Sequence, residues 1–95
     1  MAEFEIRMEA LRQRFVARTR GDAKLIIAYA KVDDRNTLRD LCHAIAGTAG
    51  MFRFSALGDA ASAVENAIDT HAANPLLESL VTQLLSEIER LPPRY

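Results

Sequence analysis

Cysteine occurs once in this chain, so no internal disulfide can cross-link it, and tryptophan is absent. Three prolines and four glycines leave few places to turn, which makes the elements between turns few and long. Charge of one sign is also missing: twelve Lys and Arg against thirteen Asp and Glu leave a formal net charge of −1, with no basic footprint for nucleic acid. The longest uncharged run, Leu41 to Phe52, is too short to cross a bilayer. The first residues, Met-Ala-Glu-Phe-Glu-Ile-Arg, carry charges where a signal peptide needs an apolar stretch. Together these absences give the expectation of a soluble, cytoplasmic protein that engages neither nucleic acid nor membrane, and a lone Cys42 suits a reducing compartment.

What is present is a globular composition, 49% hydrophobic and 26% charged, long enough for one core, so residues 1–95 are read as a single domain. Residues 1–20 hold five Arg against three Glu, a slight basic bias that would suit an acidic partner. Phe4, Met8, Leu11 and Phe15 recur at helical spacing, and Leu25, Tyr29 and Val32 resume it. Between them, Arg18 to Asp22 contains no apolar residue, and Arg18 and Asp22, which the spacing would put in the seam, lie on either side of Gly21. The simpler reading is a break, giving an N-terminal helix over about 3–19 and a second over about 22–32. The shared phase would equally suit one long helix whose middle lies off the core.

Asp33 and Asp34 can cap a third segment in which Leu38, Leu41, Cys42, Ile45, Ala49 and Phe52 form one stripe. Ser55 is the cap expected for the next helix, with Leu57, Ala60, Ala61, Val64, Ile68 and His71 on its apolar side and an end near Ala73. His71 is accordingly assigned a structural place. Asn74-Pro75 starts the last helix, which runs through Leu77, Leu84, Ile88 and Leu91 until Pro92-Pro93 ends it. No run alternates with period two. The fold class expected is all-α, an antiparallel up-down four-helix bundle with an additional N-terminal helix.

The side of the third segment away from its stripe reads Asn36, Arg39, His43, Ala46, Gly47 and Gly50. Each helix-interior glycine costs about 0.8–1 kcal/mol relative to alanine, so two beyond one imidazole call for a reason other than helix stability. A flat surface there lets another folded protein bring its reactive group to the ring nitrogen, and a neutral imidazole is a competent nucleophile. Close helix packing is the competing explanation for the glycines. His43 and Cys42 point in different directions, which does not make a metal site. There is no phosphate-binding loop, dinucleotide fingerprint or Ser/His/Asp set.

The run His43-Ala-Ile-Ala-Gly-Thr-Ala-Gly-Met-Phe-Arg-Phe54 resembles the signature of histidine phosphotransfer domains, including the one at the start of chemotaxis histidine kinases. That signature has an apolar residue two after the His, Lys at three, Gly at four, small residues to seven, and Gly at ten. His43 matches the phosphoacceptor, Ile45 the apolar position, and Gly47, Ala49 and Gly50 the small surface. Two positions depart: Ala46 stands where the family has Lys, and Arg53 where it has a second Gly. The resemblance implies a phosphorelay carrier rather than an enzyme. His43 would accept the phosphoryl group, and Arg39, Ala46, Gly47 and Gly50 would form the docking surface. The partners implied are a response-regulator receiver domain, a hybrid histidine kinase, or both. The chain would hold no cofactor, the Mg²⁺ coming with the receiver. Arg39, one turn before His43, is expected to supply the charge missing at Ala46. The alternatives are a bundle that binds a receiver or kinase without transferring phosphate, and a bundle that only dimerises.

Overall fold

The computed structural model of the chain describes residues 2–92. It consists of four helices, α1 (Ala2–Lys31), α2 (Arg35–Met51), α3 (Ser55–Asp69) and α4 (Asn74–Glu89), with no strand among the described residues. Each packs against its chain neighbours and α1 also meets α4, so the four enclose one core. That core is built from Ile26, Leu38, Cys42, Val64, Leu84 and their neighbours, all shielded from solvent.

There is no additional N-terminal helix. The expected break between Arg18 and Asp22 does not exist, because the seam takes a different path through this region. Phe15, Val16, Thr19 and Ile26 are the buried residues of α1, with Met8, Ala23, Tyr29 and Ala30 packed at the edge of the core. Thr19 is only 1% exposed and, with Ala23, carries the seam across the stretch that lacks large apolar residues. Arg18 and Gly21 sit outside it, as do Leu11, Leu25 and Val32, which the spacing assigned to the core. An exposed glycine costs the helix about 0.8–1 kcal/mol, which packing on either side outweighs. Asp22, at the edge of the seam, has its carboxyl pushed up by burial, with Arg18 opposing the shift.

The three helix-to-helix reversals share one device. After α1, α2 and α3 the chain passes through Asp33, Arg53 and His71 at φ 56°, 65° and 58°, with no glycine at any of them. At each, the next amide reaches back five residues: Asp34 to the Tyr29 carbonyl, Phe54 to Ala49 and Ala72 to Ala67, each at 2.9 Å. The left-handed residue itself bonds three back, Asp33 to Ala30, Arg53 to Gly50 and His71 to Ile68. These are Schellman closures, which satisfy carbonyls that the helix end leaves open. α3 therefore ends at Asp69 rather than near Ala73, and His71 is exposed in the turn instead of lying on an apolar stripe.

The starts follow the sequence more closely. Asp34 caps α2 by accepting from the Thr37 amide at 3.2 Å. Ser55 and Asn74 are the first residues of α3 and α4 rather than their caps, and Pro75 occupies the first turn of α4. Asn74 instead accepts from the Arg35 guanidinium at 2.7 Å, pinning the start of α4 to that of α2. At the other end of α2, the Phe15 ring lies 5.7 Å from that of Phe52 and 6.0 Å from that of Phe54, which fastens α1 there. Pro93 lies outside the described residues.

Candidate functional site

The period of α2 places Leu38, Cys42, Ile45 and Ala49 inside and turns the other side outward. His43 stands on that outer side with 72% of its side chain exposed. Burial raises the Cys42 thiol to about 12, with the nearby Glu65 carboxylate adding to the effect. A thiol held so firmly protonated is a small apolar filler and no nucleophile.

Gly47 and Gly50 are exposed, and a Cβ built on either would meet nothing within 4 Å. Close helix packing therefore does not explain them. Gly58 on α3 is the glycine that serves packing: a Cβ there would lie 3.5 Å from that of Ala49 and 3.7 Å from the Ala46 carbonyl oxygen. Ala46 is correspondingly half-buried along the α2–α3 seam, so it is less open than His43 or the two glycines.

The geometry adds residues that the sequence reading did not name. Two carboxylates of α3, one turn apart, face two nitrogen-bearing side chains of α2, also one turn apart. His43 Nδ1 lies 2.9 Å from Glu65 Oε2. Arg39 meets Asp69 with Nε to Oδ1 at 2.6 Å and an Nη2 contact to Oδ2 at 3.2 Å, and the same nitrogen lies 3.2 Å from Glu65 Oε2. A weaker contact of 3.7 Å joins Arg39 to Asp40. Bonding to Arg39 holds the Asp69 carboxyl below the usual carboxylate range, and the same contact raises Arg39. Arg39 thus sits one turn from His43 as the sequence indicated, but its guanidinium is engaged by α3 carboxylates and does not stand free beside the ring. Like charges one turn apart on a helix repel, so Glu65 and Asp69 on a single face signalled a basic partner; the sequence did not say which helix supplied it.

The chemistry of the His43 contact follows from its acceptor. An ionised carboxylate only accepts, so Nδ1 must carry the proton, and in the neutral ring Nε2 is left with the lone pair. Nε2 makes no hydrogen bond with the described residues, and the mostly exposed side chain leaves it open to an incoming group. Glu65, with its side chain 17% exposed, acts from a less solvated position than the ring it holds. Any positive charge that develops on the imidazole would meet a carboxylate already in place. Among the described residues no group of His, Cys, Asp and Glu could hold a metal ion, and no helix is long and apolar enough to cross a membrane.

The family model described as the Hpt domain matches residues 4–92. No curated protein and no solved structure matched the chain.

Proposed function

The chain belongs to the Hpt domain family, and on that premise we propose that it carries a phosphoryl group on His43. Members of the family are phosphocarrier modules of two-component signalling rather than catalytic enzymes. The observation that carries the assignment to His43 is its exposed ring bound through Nδ1 to Glu65 Oε2, which leaves Nε2 as the nucleophile.

In the proposed step a receiver domain presents its aspartyl phosphate over the surface around Gly47 and Gly50, with Arg39 and Ala46 at the margin. The Nε2 lone pair forms the N–P bond as the P–O bond to the aspartate breaks and the carboxylate leaves. The ring keeps its Nδ1 proton and gains positive charge facing Glu65. The reverse reaction passes the group to a second receiver or to a hybrid kinase. The Mg²⁺ that steadies the transferring phosphoryl belongs to the receiver, and the carrier's own part is to position its nitrogen within about 3–3.5 Å of phosphorus.

The test needs no named partner. Phosphoramidate, a small donor that phosphorylates imidazole directly, should label the wild-type chain and leave His43→Gln unlabelled, both chains carrying His71→Gln so that the exposed imidazole of the α3–α4 turn takes up no phosphate. A wild-type chain that takes up no phosphate, or a His43→Gln chain that does, overturns the assignment. Ala46 in the family's Lys position favours one second reading, an adaptor that binds receivers without transfer. It would show receiver binding with no label passed from a phosphorylated receiver.

A further inference from the structure

We propose that Arg39 is a positioning residue: with Asp69 it forms a clamp that holds Glu65 against the Nδ1 side of His43, so that Nε2 is presented for attack. The inference rests on the carrier reading and adds to it the residues that make the ring ready.

Glu65 Oε2 pairs with His43 Nδ1 at 2.9 Å and forms an ion pair with the Arg39 guanidinium at 3.2 Å. A carboxylate on a helix surface ordinarily samples several rotamers, and a hydrogen bond on one side with an ion pair on the other restricts that freedom. Arg39 can supply the ion pair because its planar fork is itself fixed on Asp69 at 2.6 and 3.2 Å. Asp69 keeps Arg39 in place, Arg39 keeps Glu65 in place, and Glu65 selects the protonated ring nitrogen. The charged and titratable groups around His43 are Arg39 and Asp40 on α2 and Glu65 and Asp69 on α3, with His71 just beyond. Arg39 is the one permanent cation among them. If it left the carboxylates for a phosphoryl group, Glu65 and Asp69 would face that group's negative charge unbalanced.

The clamp and the phosphate-ligand role expected from sequence predict opposite signs for one substitution. Asp69→Asn removes the charge that fixes the fork. Under the clamp, Glu65 loses its orientation, the His43 ring becomes a mixture of tautomers, and labelling slows. Under the phosphate-ligand role, Asp69→Asn frees the guanidinium, and labelling speeds up or the phosphohistidine lives longer.

The experiment takes the full chain as wild type, Asp69→Asn, Arg39→Gln and Arg39→Lys. It reads the nitrogen chemical shifts of the His43 ring, which report the protonated atom, and the initial rate at which phosphoramidate labels His43. We expect all three variants to lose the single Nδ1–H signature and to label about two- to fivefold more slowly, the range of an exposed charge pair. Arg39→Lys keeps the charge without the fork, so it should not restore the wild-type rate, and it holds the two helices together if Arg39→Gln does not fold. Wild-type shifts and rates in Asp69→Asn, or faster labelling, overturn the clamp. A wild-type chain that is never labelled overturns the carrier reading instead, and the two failures are distinct.

Discussion

Replacing Gly47 and Gly50 by alanine should stabilise the protein and impair it at once. Both lie within α2, Gly50 in its last turn, both are exposed, and an added Cβ would meet nothing within 4 Å, so neither substitution carries a steric cost in the free chain. The gain is the helix-propensity difference, about 0.8–1 kcal/mol at Gly47 and less at Gly50 in the last turn. For a domain of this size about 1 kcal/mol moves Tm by about 4–8 °C, so the double variant should melt at least about 3 °C higher. Gly21→Ala, exposed on α1 and equally free of contacts, should give the single-site gain and serves as the reference for helix propensity alone. Function is read with two donors. Phosphoramidate is small enough to reach Nε2 past two methyl groups, so its labelling should not change. In the proposed transfer a receiver domain charged with acetyl phosphate lays a surface over these positions, so that reaction should slow. A lower Tm would refute the helix argument. A higher Tm with unchanged receiver transfer would refute the claim that the glycines keep the docking surface flat.

Arg53→Gly and His71→Gly should each raise the denaturant midpoint by the equivalent of about 1 kcal/mol, since both native residues hold left-handed backbone at a helix end; a fall in either midpoint would show that the side chain contributes more than its backbone costs. Ala46→Lys should lengthen the life of the phosphorylated form by at most several-fold, the yield of an exposed charge pair, and an unchanged hydrolysis rate would leave the family's Lys without a role on this scaffold. Cys42 should resist iodoacetamide in the folded protein at neutral pH and react on unfolding. Its folded thiol sits at about 12 against an unfolded value near about 8.5, so its contribution is complete below the unfolded value and declines as pH rises toward 12. A chain with Cys42→Ala should show a correspondingly shallower loss of stability in alkali.

The outer side of α2 was legible in the sequence because seventeen residues of one helix alternate sharply between core and surface, and His43, Gly47 and Gly50 came out exposed as the wheel required. α1 was misread for a physical reason. Its seam crosses Thr19 and Ala23, residues too small or too polar to register as core, while Leu11, Leu25 and Val32 look apolar and face out. The left-handed closures were equally hidden, since Asp33, Arg53 and His71 occupy positions where glycine is the usual signal. Glu65 and Asp69 escaped notice because a wheel describes one helix, whereas their role depends on the register between two. That register is set by core packing and by the turn from Arg53 to Phe54, and neither is local to the carboxylates.

The repeated closure also bears on how fast the chain can reach its native state. Each reversal is specified within six consecutive residues, so a helix end and the entry to its neighbour form together without a search over distant sequence. Consecutive helices then dock as hairpins, α1 on α2, α2 on α3 and α3 on α4, leaving the meeting of α1 with α4 as the long-range step. Helical topologies of such low contact order cross their folding barrier in about microseconds to milliseconds. A chain built this way returns to its native bundle quickly after any excursion, so under the proposed function the supply of correctly presented His43 would not be limited by refolding.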